Sequence, residues 1–259
     1  YERINSFWEN SYLTAEGVAG AGERASLDPI ADKLPDGVLD QPVVMAPTSS
    51  ERQLDRKNLR RASALLDEAG WPVGDDGMRR NAAGETLKVE ILNDSQSFDR
   101  VINPYVENLR ALGVDAVLTR IDNAQMTERE RNFDFDMVIG NFRTALTPST
   151  ELEQYFGSES AEFSIFNLAG YGTEAVDSLI DAVEAAEDRK TLDDAIRALD
   201  RVLRAEVFWV PQWFRNIHTI AYYDMYRYPE NLPPYALGTL DFWWFDQAAH
   251  GRLKAAGAF

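Results

Sequence analysis

Three residues that could hold a ligand, Asn141, Phe142 and Arg143, come directly after the apolar run Met-Val-Ile-Gly at 137–140. Small-molecule pockets combine aromatic walls with a few polar groups that orient the ligand. The apolar run predicts a buried strand, and ligands of α/β sheets bind outside the carboxyl ends of strands. The pattern therefore favours a binding loop. The structural alternative is that Asn141 satisfies loop backbone and Arg143 pairs with a surface acid, and the residues leave both open.

Metal and cofactor chemistry has little support in the sequence. Cys is absent, which excludes thiol catalysis, disulfides and Cys-based zinc sites. The only histidines, His218 and His250, lack ligand spacing. Asp134 and Asp136 alternate along the chain and could bind a hard cation, but carboxylates that flank strands usually serve as turns or caps. We predict no metal site and no cofactor.

Catalytic motifs are equally scarce. The chain contains no G-x-S-x-G, Walker loop or dinucleotide fingerprint. The glycine-rich stretch "GVAGAG" at 17–22 follows no predicted strand and opens no predicted apolar helix. A glycosidase-like carboxylate pair stays possible, yet 43 acidic residues make any single pair uninformative. We predict no catalytic residue and a protein that is not an enzyme.

Composition narrows the partners. A formal net charge of −17 provides no basic footprint for nucleic acid or for an anionic membrane surface. No run of about 18 apolar residues exists, so the sequence predicts no membrane span. Residues 1–5 show neither the basic nor the apolar region of a signal peptide, so an exported chain would be a mature product or an excised domain.

Hydrophobic periodicity predicts the elements that position the loop. The middle of the chain follows a β-α-β-α-β order, which favours right-handed crossovers and an α/β sheet. The predicted strands cover 87–93, 114–121 and 135–141. The predicted helices cover 58–69, 99–112, 174–187 and 191–206. We expect the last two helices to cover a sheet with their apolar faces and to show Asp, Glu and Arg to solvent.

The two ends of the chain have a different character. Residues 1–57 are expected to be irregular and to wrap over a scaffold, and the final residues to be a frayed end. The tail concentrates four of the six Trp, including Trp213. Aromatic residues at this density build a core or line a pocket or interface.

Several stretches, taken in order, carry a family resemblance: "SFWENSYLTAEG", "NLRRASALLDEAGW", "AAGETLKVEIL", "VENLRALGVDAVLTRID", "NFDFDMVIGNF", "ALDRVLRAEVFWVPQWF" and "DFWWFD". From residue 3 to about 246, the chain resembles the C-terminal portion of bacterial extracellular solute-binding proteins that serve peptide, opine and nickel ABC importers. The YejA-like oligopeptide-binding branch is the most similar.

The resemblance implies an α/β fold: the second lobe of a two-lobed periplasmic binding protein of type II, with a mixed sheet flanked by helices. Members are about twice this length, and the chain resembles their C-terminal portion. Residues 1–210 would therefore form the second lobe. Residues 211–259 would return towards a first lobe that lies outside the chain. The implied function is binding of oligopeptides or related solutes by lobe closure, with an inner-membrane ABC permease as partner and the periplasm as location.

The resemblance also implies a set of ligand-binding residues. The loop residues Asn141, Phe142 and Arg143 would line the cleft between the lobes. The remaining expected residues are Ser6, Trp8, Asn10 and Trp213. Many peptide-binding relatives place an aromatic residue and an acid in the loop, and the acid receives the peptide amino terminus.

This chain departs from that pattern, because residues 141–150 contain no Asp or Glu and Arg143 is their only charge. The departure permits a peptide held through its carboxylate, or a different acidic solute.

The alternatives to an oligopeptide-binding protein are a binding protein for an opine, a sugar derivative or a metal chelate, and a glycan hydrolase with Trp platforms.

Overall fold

The computed structural model describes residues 6–8, 13–143, 147–214, 219–232 and 238–259. The first half of the chain contains α1 Ala21–Leu27, α2 Arg56–Glu68, β1 Lys88–Asn93, α3 Asp99–Ala111, β2 Asp115–Arg120, α4 Asn123–Arg131 and β3 Met137–Val138. The second half contains α5 Glu151–Phe156, α6 Glu174–Glu184, α7 Arg189–Ala205, β4 Tyr226–Arg227, β5 Trp244–Phe245 and α8 Gln247–Ala255. None of the helices in these residues has the length and apolar character needed to cross a membrane.

The α/β class and the β-α-β-α-β order are confirmed. β1 is the central strand, and β2 and β3 pair with it in parallel, with Ile91 opposite Leu118 and Met137. A small core lies between the sheet and α3 and consists of Ile91, Ile102, Val106, Val114 and Ala116. We call α2–α4 with β1–β3 the sheet unit. The paired part of β3 is shorter than the predicted 135–141.

A second core is formed by helices. Its fully buried members include Leu152, Phe156, Leu179, Ile196, Leu199 and Leu203, together with Trp8, Leu13 and Leu27 from the amino-terminal part. We call α1 and α5–α7 with the described residues of the segment 6–15 the helical unit. The expectation that α6 and α7 cover a sheet was wrong: in the described residues this core contains no strand residue. An apolar stripe requires an apolar cover but does not specify which one, and here the amino-terminal part supplies it.

The charged face of α7 also differs from expectation. Asp200, Arg201 and Arg204 are buried, because residues 13–17, 43–45 and α1 lie over them. Arg201 forms an ion pair with Glu23 of α1 at 3.0 Å between Nη2 and Oε1. Charged side chains are rarely fully buried unless they are paired, as they are here.

The carboxy-terminal part forms an antiparallel pair, β4 and β5, followed by α8. Trp244 and Phe245 of this pair are about half exposed, and Leu240 beside it is 96% exposed. The expected frayed end was wrong, since α8 is a helix capped by the Asp246 carboxylate, which accepts a hydrogen bond from Ala249 N–H. The boundary near residue 210 stays a prediction.

Candidate ligand-binding site

The segment after β3 lies where the two cores meet. Met137 and Ile139 pack on the core of the sheet unit. Phe142, three residues beyond Ile139, packs on the core of the helical unit. The chain therefore leaves the sheet at its carboxyl edge and reaches the helices within three residues.

Phe142 is part of a cluster of rings that we call the aromatic wall: Phe7, Phe142, Tyr155, Phe156 and Trp209. The Phe142 ring centroid lies 4.5 Å from that of Phe7, edge to face, and 5.6 Å from that of Phe156. Phe7 also stacks on Trp209 at 4.0 Å. Ring pairs at these separations attract each other beyond simple area burial. The wall therefore joins residues from four parts of the chain.

The two polar residues of the loop, Asn141 and Arg143, are exposed beside the wall. The Tyr155 hydroxyl donates a hydrogen bond to the Arg143 carbonyl at 3.3 Å and so ties the loop backbone to α5. No carboxylate among the described residues forms an ion pair with the Arg143 guanidinium. An amide and a guanidinium thus stand next to aromatic rings, which is the combination that orients a ligand in an apolar pocket.

The amino-terminal residues of the expected site take other places. Trp8 and Ser6 are each 1% exposed, and the Ser6 hydroxyl oxygen accepts a hydrogen bond from Trp8 N–H at 2.9 Å. Asn10 lies outside the described residues. Phe7, which the sequence reading missed, is the residue of this stretch that reaches the wall. The aromatic pair Phe-Trp signalled an aromatic contact, but not which ring would face the loop.

Trp213 is 55% exposed and stacks with Phe98 at 6.1 Å between ring centroids. Phe98 directly precedes α3, shortly after the carboxyl end of β1. Trp213 therefore lies beside the carboxyl edge of the sheet, where the sequence reading expected ligand contacts.

The carboxylates before β3 serve the structure. Asp136 Oδ2 accepts a hydrogen bond from Glu90 N–H at 2.8 Å, and Arg129 Nε donates to Asp134 Oδ2 at 2.9 Å. Arg129 also donates to Glu90 at 2.7 Å, and this hydrogen bond lowers the pKa of the Glu90 carboxyl. The described residues contain no group of three or more side chains suited to a metal ion. Asp136 thus binds a backbone N–H of β1, and Asp134 forms an ion pair with Arg129 at the end of α4.

Curated relatives match nearly the whole chain, and a family profile matches about half of it. A profile described as "Bacterial extracellular solute-binding proteins, family 5 Middle" matches residues 27–163. The "Probable peptide-binding protein YejA" of Agrobacterium fabrum is 37% identical over 251 residues, which are 96% of this chain and 41% of that protein. The "Uncharacterized protein YejA" of Escherichia coli is 32% identical over 99% of this chain and 42% of its own length.

Among solved structures, the oligopeptide-binding protein AppA from Bacillus subtilis in complex with a nonapeptide is similar, with a TM-score of 0.56. The match covers 88% of this chain and 46% of that chain at 15% sequence identity, so it shows the fold alone. The chain spans about two fifths of the length of the curated relatives that it matches.

Proposed function

This chain belongs to family 5 of the bacterial extracellular solute-binding proteins, and we propose that it is part of the ligand-binding component of an ABC importer for oligopeptides or related solutes. The name of the Agrobacterium relative, a probable peptide-binding protein, supports this choice of ligand. In this proposal the protein does no chemistry. It works in the periplasm, closes over its ligand and presents the closed form to an inner-membrane permease.

The observation that carries the proposal is the aromatic wall with exposed Asn141 and Arg143 beside it at the carboxyl edge of a parallel sheet. Residues 1–210 would be one lobe and residues 211–259 would return to another part of a longer protein, which fits the shorter span of this chain. Ser6 and Trp8 would support the site from within the core, Asn10 would extend it, and Trp213 would contact ligand from the tail.

Arg143 would receive a ligand carboxylate. The guanidinium is exposed in this chain, and an exposed ion pair contributes roughly 0–1 kcal/mol. Closure of a second lobe over the pair would remove it from water. Removing one partner of such a buried pair costs roughly 2–5 kcal/mol, because the other charge is left unpaired. The affinity loss on mutation therefore reports whether Arg143 is part of a closed site.

The test uses the full-length protein. Mass spectrometry first identifies the ligands that the purified protein carries, and calorimetric titration then measures the affinity for the peptide so identified. We expect Arg143→Ala to weaken binding by about 2–5 kcal/mol, and Arg60→Ala, an exposed arginine on α2, to leave it unchanged. Amidation of the peptide carboxyl terminus should weaken binding to the wild type but not further to Arg143→Ala. Equal affinities for wild type and Arg143→Ala would remove Arg143 from the site.

An opine or another acidic solute is the second candidate, since it would use the same guanidinium. Mass spectrometry distinguishes it from a peptide directly. A purified protein that carries no ligand and binds no peptide or acidic solute would contradict the proposed function, and turnover of glycans would replace it with hydrolysis.

A further inference from the structure

α7 buries three charged side chains that the proposed binding role does not use. Asp200 is 0% exposed, Arg201 1% and Arg204 3%, and Glu23 of α1 lies against them at 6%. The four side chains carry two positive and two negative charges. Burying charges is costly unless they are paired and hydrogen-bonded, so such a cluster needs a structural reason.

The cluster holds the backbone of the amino-terminal segment. Asp200 Oδ2 accepts a hydrogen bond from Ala15 N–H at 2.9 Å, and Arg204 Nη1 donates to the Ala15 carbonyl at 3.0 Å. The same Arg204 nitrogen lies 3.2 Å from Asp200 Oδ2. The Asp200–Arg204 ion pair thus binds both the N–H and the carbonyl of Ala15. Burial raises the pKa of the Asp200 carboxyl, while Arg204, the Ser6 hydroxyl and Ala15 N–H act in the opposite direction.

Further hydrogen bonds connect Ala15 to the residues on either side of Phe7 in the aromatic wall. The Thr14 hydroxyl, next to Ala15, donates to the Trp8 carbonyl at 2.8 Å, and Trp8 N–H donates to the Ser6 hydroxyl oxygen at 2.9 Å. Residues 6–8 are therefore attached through Trp8 and Thr14 to Ala15, whose N–H and carbonyl bind Asp200 and Arg204 of α7. Phe7, between them, stacks on Trp209 and meets Phe142 edge to face.

We propose that Asp200 is a positioning residue for the ligand site: through Ala15 and the hydrogen bond between Thr14 and Trp8 it holds Phe7 in the aromatic wall. The proposal rests on the proposed function of that wall as the ligand contact. Asp200 itself is fully buried and touches no ligand. Its backbone partner in the segment, Ala15, lies 185 residues away in the sequence, so Asp200 joins the amino-terminal segment to α7 in addition to pairing with Arg204 within the helix.

Asp200→Asn in the full-length protein keeps the shape of the side chain and removes its charge. Asp193→Asn is the matched control, because Asp193 lies on the same helix and pairs with Arg189 at the same four-residue spacing, 2.8 Å apart. In ligand-free protein, we expect hydrogen exchange at the amides of residues 6–8 and 13–15 to be at least about tenfold faster in Asp200→Asn, and unchanged in Asp193→Asn.

A double-mutant cycle with Phe7→Ala separates positioning from general stability. Asp200→Asn should weaken binding of the identified ligand about tenfold when Phe7 is present and have no further effect in Phe7→Ala. An equal loss in both backgrounds would overturn the proposal, as would unchanged exchange in residues 6–8.

Thr14→Val serves if Asp200→Asn does not fold, because it removes the hydrogen bond from the Thr14 hydroxyl to the Trp8 carbonyl and leaves the Ala15 bonds to α7 in place. It should accelerate exchange in residues 6–8 and leave Ala15 protected, and unchanged exchange in residues 6–8 would again overturn the proposal. The wild type could bind no ligand while hydrogen exchange in residues 6–8 still responds to the substitutions as expected. The proposed binding function would then be wrong, but the positioning of Phe7 by α7 would stand, so the two failures are distinguishable.

Discussion

The helical unit and the sheet unit differ in how their buried arginines are paired. In the helical unit, Arg201 pairs with Glu23 at a sequence separation of 178 residues, and both side chains are buried. In the sheet unit, the fully buried Arg79 pairs with Asp67 only 12 residues away, and the Asp67 side chain is 53% exposed. The helical unit thus contains a buried ion pair between distant parts of the chain, while the sheet unit pairs its buried arginine with a solvated carboxylate nearby.

Arg79 also donates hydrogen bonds to backbone carbonyls near it in the sheet unit. Its Nε donates to the Leu112 carbonyl at 2.7 Å, at the end of α3, and Nη1 donates to the Trp71 carbonyl just beyond α2. One guanidinium thus satisfies carbonyls near two helix carboxyl ends, where unpaired acceptors accumulate. Loss of this arginine would leave Asp67 free to turn towards water.

The largest expected effect comes from Arg201→Met. The change leaves the Glu23 carboxylate buried and unpaired, and should lower the free energy of unfolding by about 3–5 kcal/mol in urea melts. Arg79→Met should cost less, because water can solvate Asp67. Adding Glu23→Gln to Arg201→Met removes the unpaired charge and should recover at least half of the loss. Equal costs for the two arginine variants would abolish the contrast between the units.

A smaller effect is expected where each unit ends a helix on a non-glycine residue with positive φ. Val207 follows α7 with a φ of 51°, and Phe133 follows α4 with a φ of 50°. Glycine is preferred at this position, and a β-branched residue is strained there. Val207→Gly should stabilise the chain by about 1 kcal/mol, since the Val207 side chain is exposed.

Phe133→Gly should gain less than Val207→Gly, because Phe133 is partly buried and its packing would be lost. Val207→Ala keeps the positive φ without the β-branch and should fall between wild type and Val207→Gly. Thermal melts of the three variants measure these differences, and a destabilised Val207→Gly would show that no strain is stored at that helix end.

The smallest effect concerns exposed helix caps, where the units should behave alike. Asp55 caps α2 by accepting hydrogen bonds from Asn58 and Lys57 N–H, and these bonds, with Ser50, lower its pKa to about 2. Because the folded pKa lies below the unfolded value of about 4, the stabilisation is present above pH 4 and is lost as the pH falls towards 2.

Asp55→Asn keeps a capping oxygen but does not titrate, so wild type should lose stability relative to it between pH 4 and 2. Asp188, which caps α7 through Thr191 N–H and also has a lowered pKa, should respond in the same way in Asp188→Asn. A pH-independent difference between wild type and either variant, followed by urea melts, would contradict the assigned caps.

Sequence periodicity predicted the long elements well. α2, α3, α6, α7, β1 and β2 lie within about three residues of their predicted ends, because an apolar stripe of period 3.6 or a strand run is a local property. The short α1 was missed. It begins inside "GVAGAG", with Gly20 N–H donating to Glu23 Oε2 at 2.6 Å, and Gly22 lies so close to Asp194 of α7 that a Cβ would collide with that side chain.

The sequence by itself determined the α/β order, the family resemblance and the place of the loop 141–143 after a strand. These depend on neighbours along the chain. Tertiary structure decided that α6 and α7 pack with the amino-terminal part, that Phe7 reaches Phe142, and that Asp200 is buried. Each of these depends on a partner more than 100 residues away, and no local pattern of charge or hydrophobicity identifies which distant backbone will cover a given helix face.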